Sequence, residues 1–161
     1  MSQLPDRAFF SPGDDCLQAI LESINSAEHT LKICVFTISD NRITEAILLA
    51  HKRGIDLKLL TDNEKLFDKG SDIRELATKG VTVRIDMSRN HMHHKFAIID
   101  DKAVLTGSYN WTRSAANYNH ENILITNNPV ITASYCKEFD KLWNGMETYE
   151  GKTQLWNHSA T

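Results

Sequence analysis

Residues 90–122, NHMHHKFAIIDDKAVLTGSYNWTRSAANYNHEN, carry the strongest indication of the fold. Two runs of strand-forming residues, 95–99 and 103–106, flank a short polar break, Asp100-Asp101. Such a break between two strand-like runs is typical of a hairpin. Another strand is predicted over residues 121–126, so this part of the chain predicts antiparallel neighbours in a sheet.

Upstream of this stretch, runs typical of strands alternate with segments whose apolar residues recur at helical spacing. Aspartate or asparagine stands where each helix would begin, and glycine follows the second and third helices, as expected of helix caps and stops. Alternation of this kind predicts a sheet with helices packed on its faces. The predicted strands are 7–10, 31–38, 55–61 and 81–85, and the helices begin at Asp14 or Asp15, at Asp40 or Asn41 and at Asp72, the last two ending before Gly54 and Gly80.

Downstream, Asn128 and Pro129 predict the start of a helix that runs through Trp143, because asparagine is a good N-cap and proline is favoured in the first turn. Combined with the hairpin, this pattern predicts an α/β fold, a mixed β-sheet sandwiched by helices. We expect a single domain over residues 1–149 and a polar C-terminal tail over residues 150–161.

The composition excludes several classes of protein. The chain has 161 residues, 41% of them hydrophobic and 24% charged, which is typical of a globular domain. No apolar run reaches about 18 residues, so no transmembrane segment is expected. The N-terminus lacks the apolar region of a secretory signal, so a cytoplasmic location is expected, or a periplasmic one if a leader was removed.

The net charge of −3 argues against a uniformly basic protein that coats nucleic acid, although a local basic groove remains compatible with it. The cysteines, Cys16, Cys34 and Cys136, are odd in number and form no CxxC pair. The sequence therefore indicates neither a disulfide framework nor a zinc finger.

The candidate catalytic residues lie around the first strand of the hairpin. His93 and Lys95 are two residues apart, so on a strand they would project from the same face. A neutral imidazole is a nucleophile near pH 7, and an ammonium group stabilises developing negative charge. The pair is therefore suited to chemistry on an anionic substrate.

The loop after the hairpin adds neutral hydrogen-bond donors. Ser108 and Asn110 carry a hydroxyl and an amide, and Gly107 permits close approach of the backbone. Glu121 is a candidate to accept a hydrogen bond from the second ring nitrogen of His93 and so to fix its tautomer. Together these groups would form a cradle for a phosphate diester.

The same residues resemble the phospholipase D superfamily, whose mark is an HxKxxxxD motif followed by GSxN. The resemblance is closest to the subgroup with one such motif per chain, which includes bacterial Nuc-type endonucleases and the mitochondrial cardiolipin hydrolase Zucchini. It covers residues 8–149 and implies the phospholipase D/nuclease fold. The matching residues are His93, Lys95, Asp100, Gly107, Ser108 and Asn110.

The resemblance implies a two-step reaction without a metal or other cofactor. One motif histidine attacks phosphorus, and a histidine from a second motif protonates the leaving oxygen; water then hydrolyses the phosphohistidine. Because this chain has one motif, we expect a homodimer with the active site at the two-fold interface. Asp100 is expected to have an orienting and structural role, and His94 to lie at the substrate entrance.

Three functions remain open at this point. The first expectation is an endonuclease on single-stranded or flexible nucleic acid, and the alternative is a phospholipase D or cardiolipin hydrolase acting on phosphatidyl esters. The third is a catalytically silent phosphate-binding module, which the complete residue set disfavours. A metal site at His91, His93 and His94 is also disfavoured, because adjacent strand residues point to opposite faces and no carboxylate or cysteine has a familiar zinc spacing.

Two further features allow a structural and a functional interpretation. Trp111 would stack on a base, face a lipid or simply pack in the core. Four basic residues would line a phosphate-binding groove or simply be solvated, which is the usual state of exposed charges. These residues are Arg42, Arg89, Lys102 and Arg113.

Overall fold

The computed structural model describes residues 5–152, which form one eight-stranded sheet with helices on both faces. The strands are β1 (Arg7–Phe10), β2 (Thr30–Val35), β3 (Asp56–Asp62), β4 (Thr82–Asp86), β5 (Lys95–Ile99), β6 (Ala103–Gly107), β7 (Asn122–Thr126) and β8 (Glu147–Tyr149). The helices are α1 (Asp15–Ser26), α2 (Asn41–Lys52), α3 (Ile73–Thr78), α4 (Arg113–Asn117) and α5 (Pro129–Gly145), with one turn of 3₁₀ helix at Asn63–Lys65.

The sheet is mixed, as predicted. Its strand order is β1-β7-β6-β5-β2-β3-β4-β8. Strands β2, β3 and β4 are parallel, because helices connect them, and every other pairing is antiparallel. Lys95 at the start of β5 pairs with Val35 at the end of β2, so β5 begins at the carboxyl edge of the parallel strands. Ligands of open α/β sheets bind at this edge.

Two hydrophobic layers hold the helices to the sheet. On one face, apolar residues of α1, α2, α3 and α4 pack with β-strand residues such as Ile33, Leu59 and Leu105. On the other face, Phe139 and Trp143 of α5 pack with a second set of strand residues that includes Phe96. The strand β5 therefore supplies side chains to both layers, which fixes its register in the sheet.

The second strand ends earlier than the sequence predicted. Strand β2 stops at Val35, whereas residues 31–38 were expected to be extended. Beyond it, Ile38 makes an isolated bridge to Trp111, and the carbonyl of Trp111 accepts hydrogen bonds from Ser39 and Asp40. The chain thus leaves the ladder to reach the start of α2, where the Asp40 side chain accepts a hydrogen bond from the amide of Arg42 at 3.1 Å.

Three short elements were not predicted: β8, α4 and the 3₁₀ turn. Each has five residues or fewer, too few for periodicity to show in the sequence. Strand β8 pairs at the sheet edge with β4, which brings the end of α5 back against the sheet. Of the predicted polar tail, residues 153–161 lie outside the described residues. Within the described part of the chain, no helix has the length and apolar character needed to cross a membrane.

Candidate active site

The predicted site residues meet where β5 begins, β6 ends and β7 begins. These ends coincide because β5, β6 and β7 are successive antiparallel neighbours. The result is a cavity of about 690 Å³ on the carboxyl side of the parallel strands. Its lining consists of His93, His94, Lys95, Phe96, Thr106, Gly107, Ser108, Asn110, Glu121, Ser134, Tyr135 and Glu138.

His93 and Lys95 are in direct contact. The ammonium nitrogen of Lys95 lies 3.1 Å from Nδ1 of His93 and donates a hydrogen bond to the His93 carbonyl oxygen at 2.7 Å. The ring of Phe36 packs against the imidazole, with the ring centroids 4.7 Å apart. The Lys95 ammonium lies 5.6 Å from the centroid of the same Phe36 ring, a cation–π arrangement.

This environment favours the neutral imidazole. Partial burial lowers the pKa of His93, and the positive charge of Lys95 lowers it further. Burial also lowers the pKa of Lys95, while the negative charge of Glu121 opposes that shift. A neutral His93 beside a cation is the state in which a ring nitrogen can act on a phosphate.

Glu121 has a different partner from the predicted one. Its carboxylate accepts a hydrogen bond from the Ser108 hydroxyl, and no hydrogen bond joins it to His93 within the described part of the chain. The Ser108 oxygen in turn accepts a hydrogen bond from the Asn122 amide at 3.1 Å. The structure thus does not show the predicted contact, and the orienting role of Glu121 toward His93 stays a prediction.

Gly107 and Asn110 shape the floor of the cavity. A Cβ on Gly107 would overlap the backbone carbonyl of Asn122, so only glycine allows β6 and β7 to approach this closely. The side-chain oxygen of Asn110 is buried and has no hydrogen-bond partner among residues 5–152.

Comparison with known proteins identifies the family. A family model described as "Cardiolipin synthase, PLD-like domain" matches residues 20–143. The chain belongs to this phospholipase D-like family. Its mixed sheet is the fold of the phospholipase D superfamily.

Two similar curated proteins are both named mitochondrial cardiolipin hydrolase. The one from Chlamydomonas reinhardtii is 43% identical over 128 residues, which cover 80% of this chain and 57% of the relative. The one from Xenopus laevis is 43% identical over 140 residues, which cover 87% of this chain and 65% of the relative. The chain thus spans only part of the length of these proteins.

Two solved structures show the same phospholipase D-like fold. Nuc from Salmonella typhimurium, a phospholipase D family member, superposes with a TM-score of 0.84 at 27% identity. The superposition covers 91% of this chain and 98% of Nuc. NucT from Helicobacter pylori superposes with a TM-score of 0.81 at 25% identity, and this superposition covers 90% of this chain and 99% of NucT.

The last residue of the phospholipase D motif, Asp100, lies outside the cavity. It follows the far end of β5, about 16 Å along the strand from Lys95. Its carboxylate accepts hydrogen bonds from the backbone amides of Glu28, His29 and Thr30 at 2.7–3.2 Å. Burial opposes its ionisation, but these amides outweigh burial and hold the pKa of Asp100 below its usual value. These contacts are structural, and the cavity lining does not include Asp100.

His94 and helix α5 form one wall of the cavity. His94 packs edge-on against Phe96 with the ring centroids 5.4 Å apart, and Phe96 packs against Tyr135 at 4.9 Å. Sequence reasoning missed the residues Ser134, Tyr135 and Glu138. Helical spacing puts residues 134 and 138 on one face of α5, but only the tertiary structure shows that this face borders the cavity.

The open alternatives for the other residues are now decided by position. Trp111 is 1% exposed and packs in the core, so it does not face a substrate. Arg42 donates bidentate hydrogen bonds to the buried Asp40. Across the described ranges, the cavity lining contains none of the four basic residues suggested for a phosphate-binding groove.

Proposed function

We propose that this chain hydrolyses phosphodiesters through a covalent phosphohistidine at His93, without a metal. The observation that carries the proposal is the contact between His93 and Lys95 at the floor of an open cavity that also holds Asn110. The ammonium neutralises the phosphate charge, and the imidazole supplies the nucleophile.

The reaction needs two imidazoles in opposite protonation states. In the first step, Nε2 of one His93 forms a bond to phosphorus while the bond to the leaving oxygen breaks, and the second imidazole gives that oxygen its proton. In the second step, water attacks phosphorus and the P–N bond breaks. The second imidazole takes the proton of the water and is ready for another turnover.

The Lys95 contact bears on the tautomer of the attacking ring. A neutral ring that accepts a hydrogen bond at Nδ1 carries its proton on Nε2, whereas the proton donor is the second ring in its imidazolium form, with both nitrogens protonated. Attack by Nε2 requires the proton on Nδ1 instead. A phosphate that draws Lys95 onto its own oxygens would release Nδ1 of the attacking ring, so substrate binding itself supports the change of tautomer.

A homodimer supplies the second imidazole. In a two-fold dimer, His93 of each copy would face one shared phosphate, so a copy that lacks His93 inactivates the site it shares.

To test the shared site, wild-type protein is co-refolded with an equal amount of His93→Asn, and diesterase activity is measured. We expect about one quarter of the wild-type activity, because only dimers of two wild-type copies are active. Retention of about one half would show independent sites and contradict the shared site.

The charges of the cavity support a phosphatidyl ester as the substrate. The lining contains one ammonium, Lys95, against two carboxylates, Glu121 and Glu138. A polynucleotide presents one phosphate per nucleotide, and its binding depends on several cationic contacts. A single phosphodiester flanked by apolar groups fits this lining better, since Phe96 and Tyr135 provide an aromatic wall.

Exposed apolar residues next to the cavity support the same substrate. Val130 and Ile131 at the start of α5 are 76% and 40% exposed. Ser134, one helical turn after Val130, already lines the cavity. The pair thus forms an apolar lip that would enter the acyl region of a lipid surface. The name cardiolipin hydrolase of the similar curated proteins agrees with this proposal.

Cleavage of single-stranded nucleic acid is the second candidate. It is favoured by the superposition on Nuc, which covers almost all of that chain. The sequence expectation of a nuclease thus stays a prediction, and the substrate test includes both classes.

The substrate test uses purified protein in EDTA with cardiolipin vesicles, labelled single-stranded DNA and RNA, and a soluble aryl phosphodiester. We expect cleavage of vesicles and of the soluble diester. Val130→Asp should lower vesicle cleavage by roughly tenfold and leave the soluble diester unaffected, because it replaces an inserting apolar side chain with a charge that an anionic lipid surface repels. Leu49→Asp, at a 52% exposed position of α2, is the matched control. Cleavage of nucleic acid without cleavage of vesicles would reverse the two candidates.

A further inference from the structure

A second group of ligand-type side chains lies beside the loop that leads to His93. Nδ1 of His91 is 3.6 Å from Oδ2 of Asp62 and 3.6 Å from Oε2 of Glu64. One potential ligand atom from each of the three residues lies within 4.8 Å of the other two. We propose that Asp62, Glu64 and His91 bind a divalent transition-metal ion, with Zn²⁺ as the best fit.

The distances fit a shared ion better than direct contacts. At 3.6 Å the imidazole is too far from either carboxylate for a good hydrogen bond, yet it is equally far from both. Two ligands of one tetrahedral zinc ion, each about 2.1 Å from the metal, lie about 3.4 Å apart. The distances from His91 to the two carboxylates are therefore close to those of ligands that share one zinc ion.

The charge of Asp62 points to a cation independently of these distances. The residue is completely buried, and its oxygens accept hydrogen bonds from the amides of Glu64 at 2.9 Å and Met92 at 2.8 Å. Within residues 5–152, no lysine or arginine forms an ion pair with it; the nearby Lys65 pairs with Asp68 instead. A buried carboxylate is costly without a cationic partner, and a bound metal would supply one.

The ligand types select the metal. An imidazole nitrogen with two carboxylate oxygens suits Zn²⁺, whereas Mg²⁺ and Ca²⁺ prefer oxygen ligands only. The side chains of Glu64 and His91 are 60% and 49% exposed, so an ion can enter from solvent. Water would complete the coordination at the exposed side.

The site would control the position of the loop between β4 and β5 and would take no part in the chemistry. His91 lies two residues before His93, and Phe36 packs against both rings, at centroid distances of 5.4 and 4.7 Å. An ion would tie this loop to the end of β3. Neither the two carboxylates nor His91 is in the lining of the cavity, so hydrolysis should continue when the ion is removed. The inference is thus independent of the proposed function.

The full chain is first treated with EDTA, and the chelator is then removed. Zinc binding is measured by calorimetry. We expect one Zn²⁺ per chain and a rise in the unfolding temperature on the order of 5 °C at a hundredfold excess over Kd. Glu64→Gln and His91→Gln should each weaken binding by at least about tenfold. Both positions are exposed, so the variants should fold, and Glu64→Gln should retain wild-type hydrolysis in EDTA.

Two controls distinguish this site from other histidines. His120→Gln removes an exposed histidine outside the cluster, and His94→Gln removes one in the cavity; both should bind Zn²⁺ like the wild type. Absence of stoichiometric binding would overturn the proposal. Loss of binding in His94→Gln with no loss in His91→Gln would also overturn it, because the ion would then lie in the cavity.

Discussion

The Lys95 ammonium lies 3.1 Å from Nδ1 of His93 and 2.7 Å from the carbonyl oxygen of the same residue. His93, which precedes β5, and Lys95, the first residue of β5, are therefore in direct contact without the help of a carboxylate. The contact keeps a positive charge next to the imidazole and favours its neutral form. It also places the cation where a phosphate bound at His93 would meet it.

Replacement of His93 by asparagine should abolish the reaction. We expect hydrolysis of a soluble aryl phosphodiester to fall by at least about 10³-fold, because the nucleophile and the proton donor are both lost. Wild-type activity should survive an excess of EDTA. His29→Asn, an exposed histidine at the opposite end of the sheet, is the control. Loss of wild-type activity on chelation would contradict the metal-free mechanism.

The neutral form of His93 should persist to lower pH than that of an ordinary histidine. Partial burial and the charge of Lys95 lower its pKa below the usual value of 6.5, so protonation and loss of the nucleophile should occur at lower pH. The acid limb of the kcat/KM profile is therefore expected below pH 6.5. NMR titration of the imidazole in Lys95→Met, assigned with His93→Asn, should show a higher pKa than in the wild type. An unchanged pKa would show that the lysine charge has no effect.

The amide contacts of Asp100 should stabilise the fold at neutral pH. Asn tolerates the left-handed backbone at this position, where φ is +53°, so Asp100→Asn removes mainly the charge. We expect the free energy of unfolding to fall by about 2 kcal/mol at pH 7, measured by urea denaturation.

This loss should depend on pH with a definite sign. Because the folded-state pKa of Asp100 is lowered from 3.8, its contribution is complete above pH 3.8 and disappears as the pH falls through the lower folded value. The difference between wild type and Asp100→Asn should shrink accordingly. Asp101→Asn has the same φ of +53°, its carboxylate is half exposed, and Lys32 keeps Asp140 as a second partner, so it should cost no more than about 1 kcal/mol. Equal effects of the two substitutions would contradict the role of the amides.

Alanine at Gly107 should disrupt the β6–β7 pairing that positions Ser108. Its Cβ would meet the backbone carbonyl of Asn122, which cannot move without breaking the ladder. We expect a loss of at least about 3 kcal/mol in the free energy of unfolding, with reduced diesterase activity. Gly145→Ala at the end of α5 has open space around it and should be neutral or slightly stabilising. A stable Gly107→Ala protein with full activity would show that this close approach is dispensable.

The sequence predicted the fold class because strand-forming runs, helical spacing and caps agreed with one another. Asp40 and Asn128 cap the helices that they were expected to begin, since each side chain accepts a hydrogen bond from a backbone amide of the first turn. The boundary at Ile38 was wrong, because hydrophobic character continues after β2 while the hydrogen bonds pass to Trp111.

The motif predicted which residues of the candidate site lie close together, because β5, β6 and β7 are successive antiparallel neighbours whose ends must meet. His93, Lys95, Ser108, Asn110 and Glu121 therefore line one cavity, as their spacing indicated. The partner of Glu121 was not predictable, because the choice between Ser108 and His93 depends on the geometry of the loops that carry them. Asp100 belongs to the same motif but lies at the opposite end of β5, where its carboxylate accepts hydrogen bonds from backbone amides.

What the sequence determined by itself is local: the hairpin, the helix caps at Asp40 and Asn128, and the placing of an imidazole and an ammonium two residues apart at the start of β5. These follow from short-range periodicity and side-chain chemistry. Only the tertiary structure decided that α5 walls the cavity and that Asp62 and Glu64 lie beside His91. Those contacts join residues 27 or more positions apart, and packing of the sheet and its helices, which no spacing in the sequence encodes, brings them together.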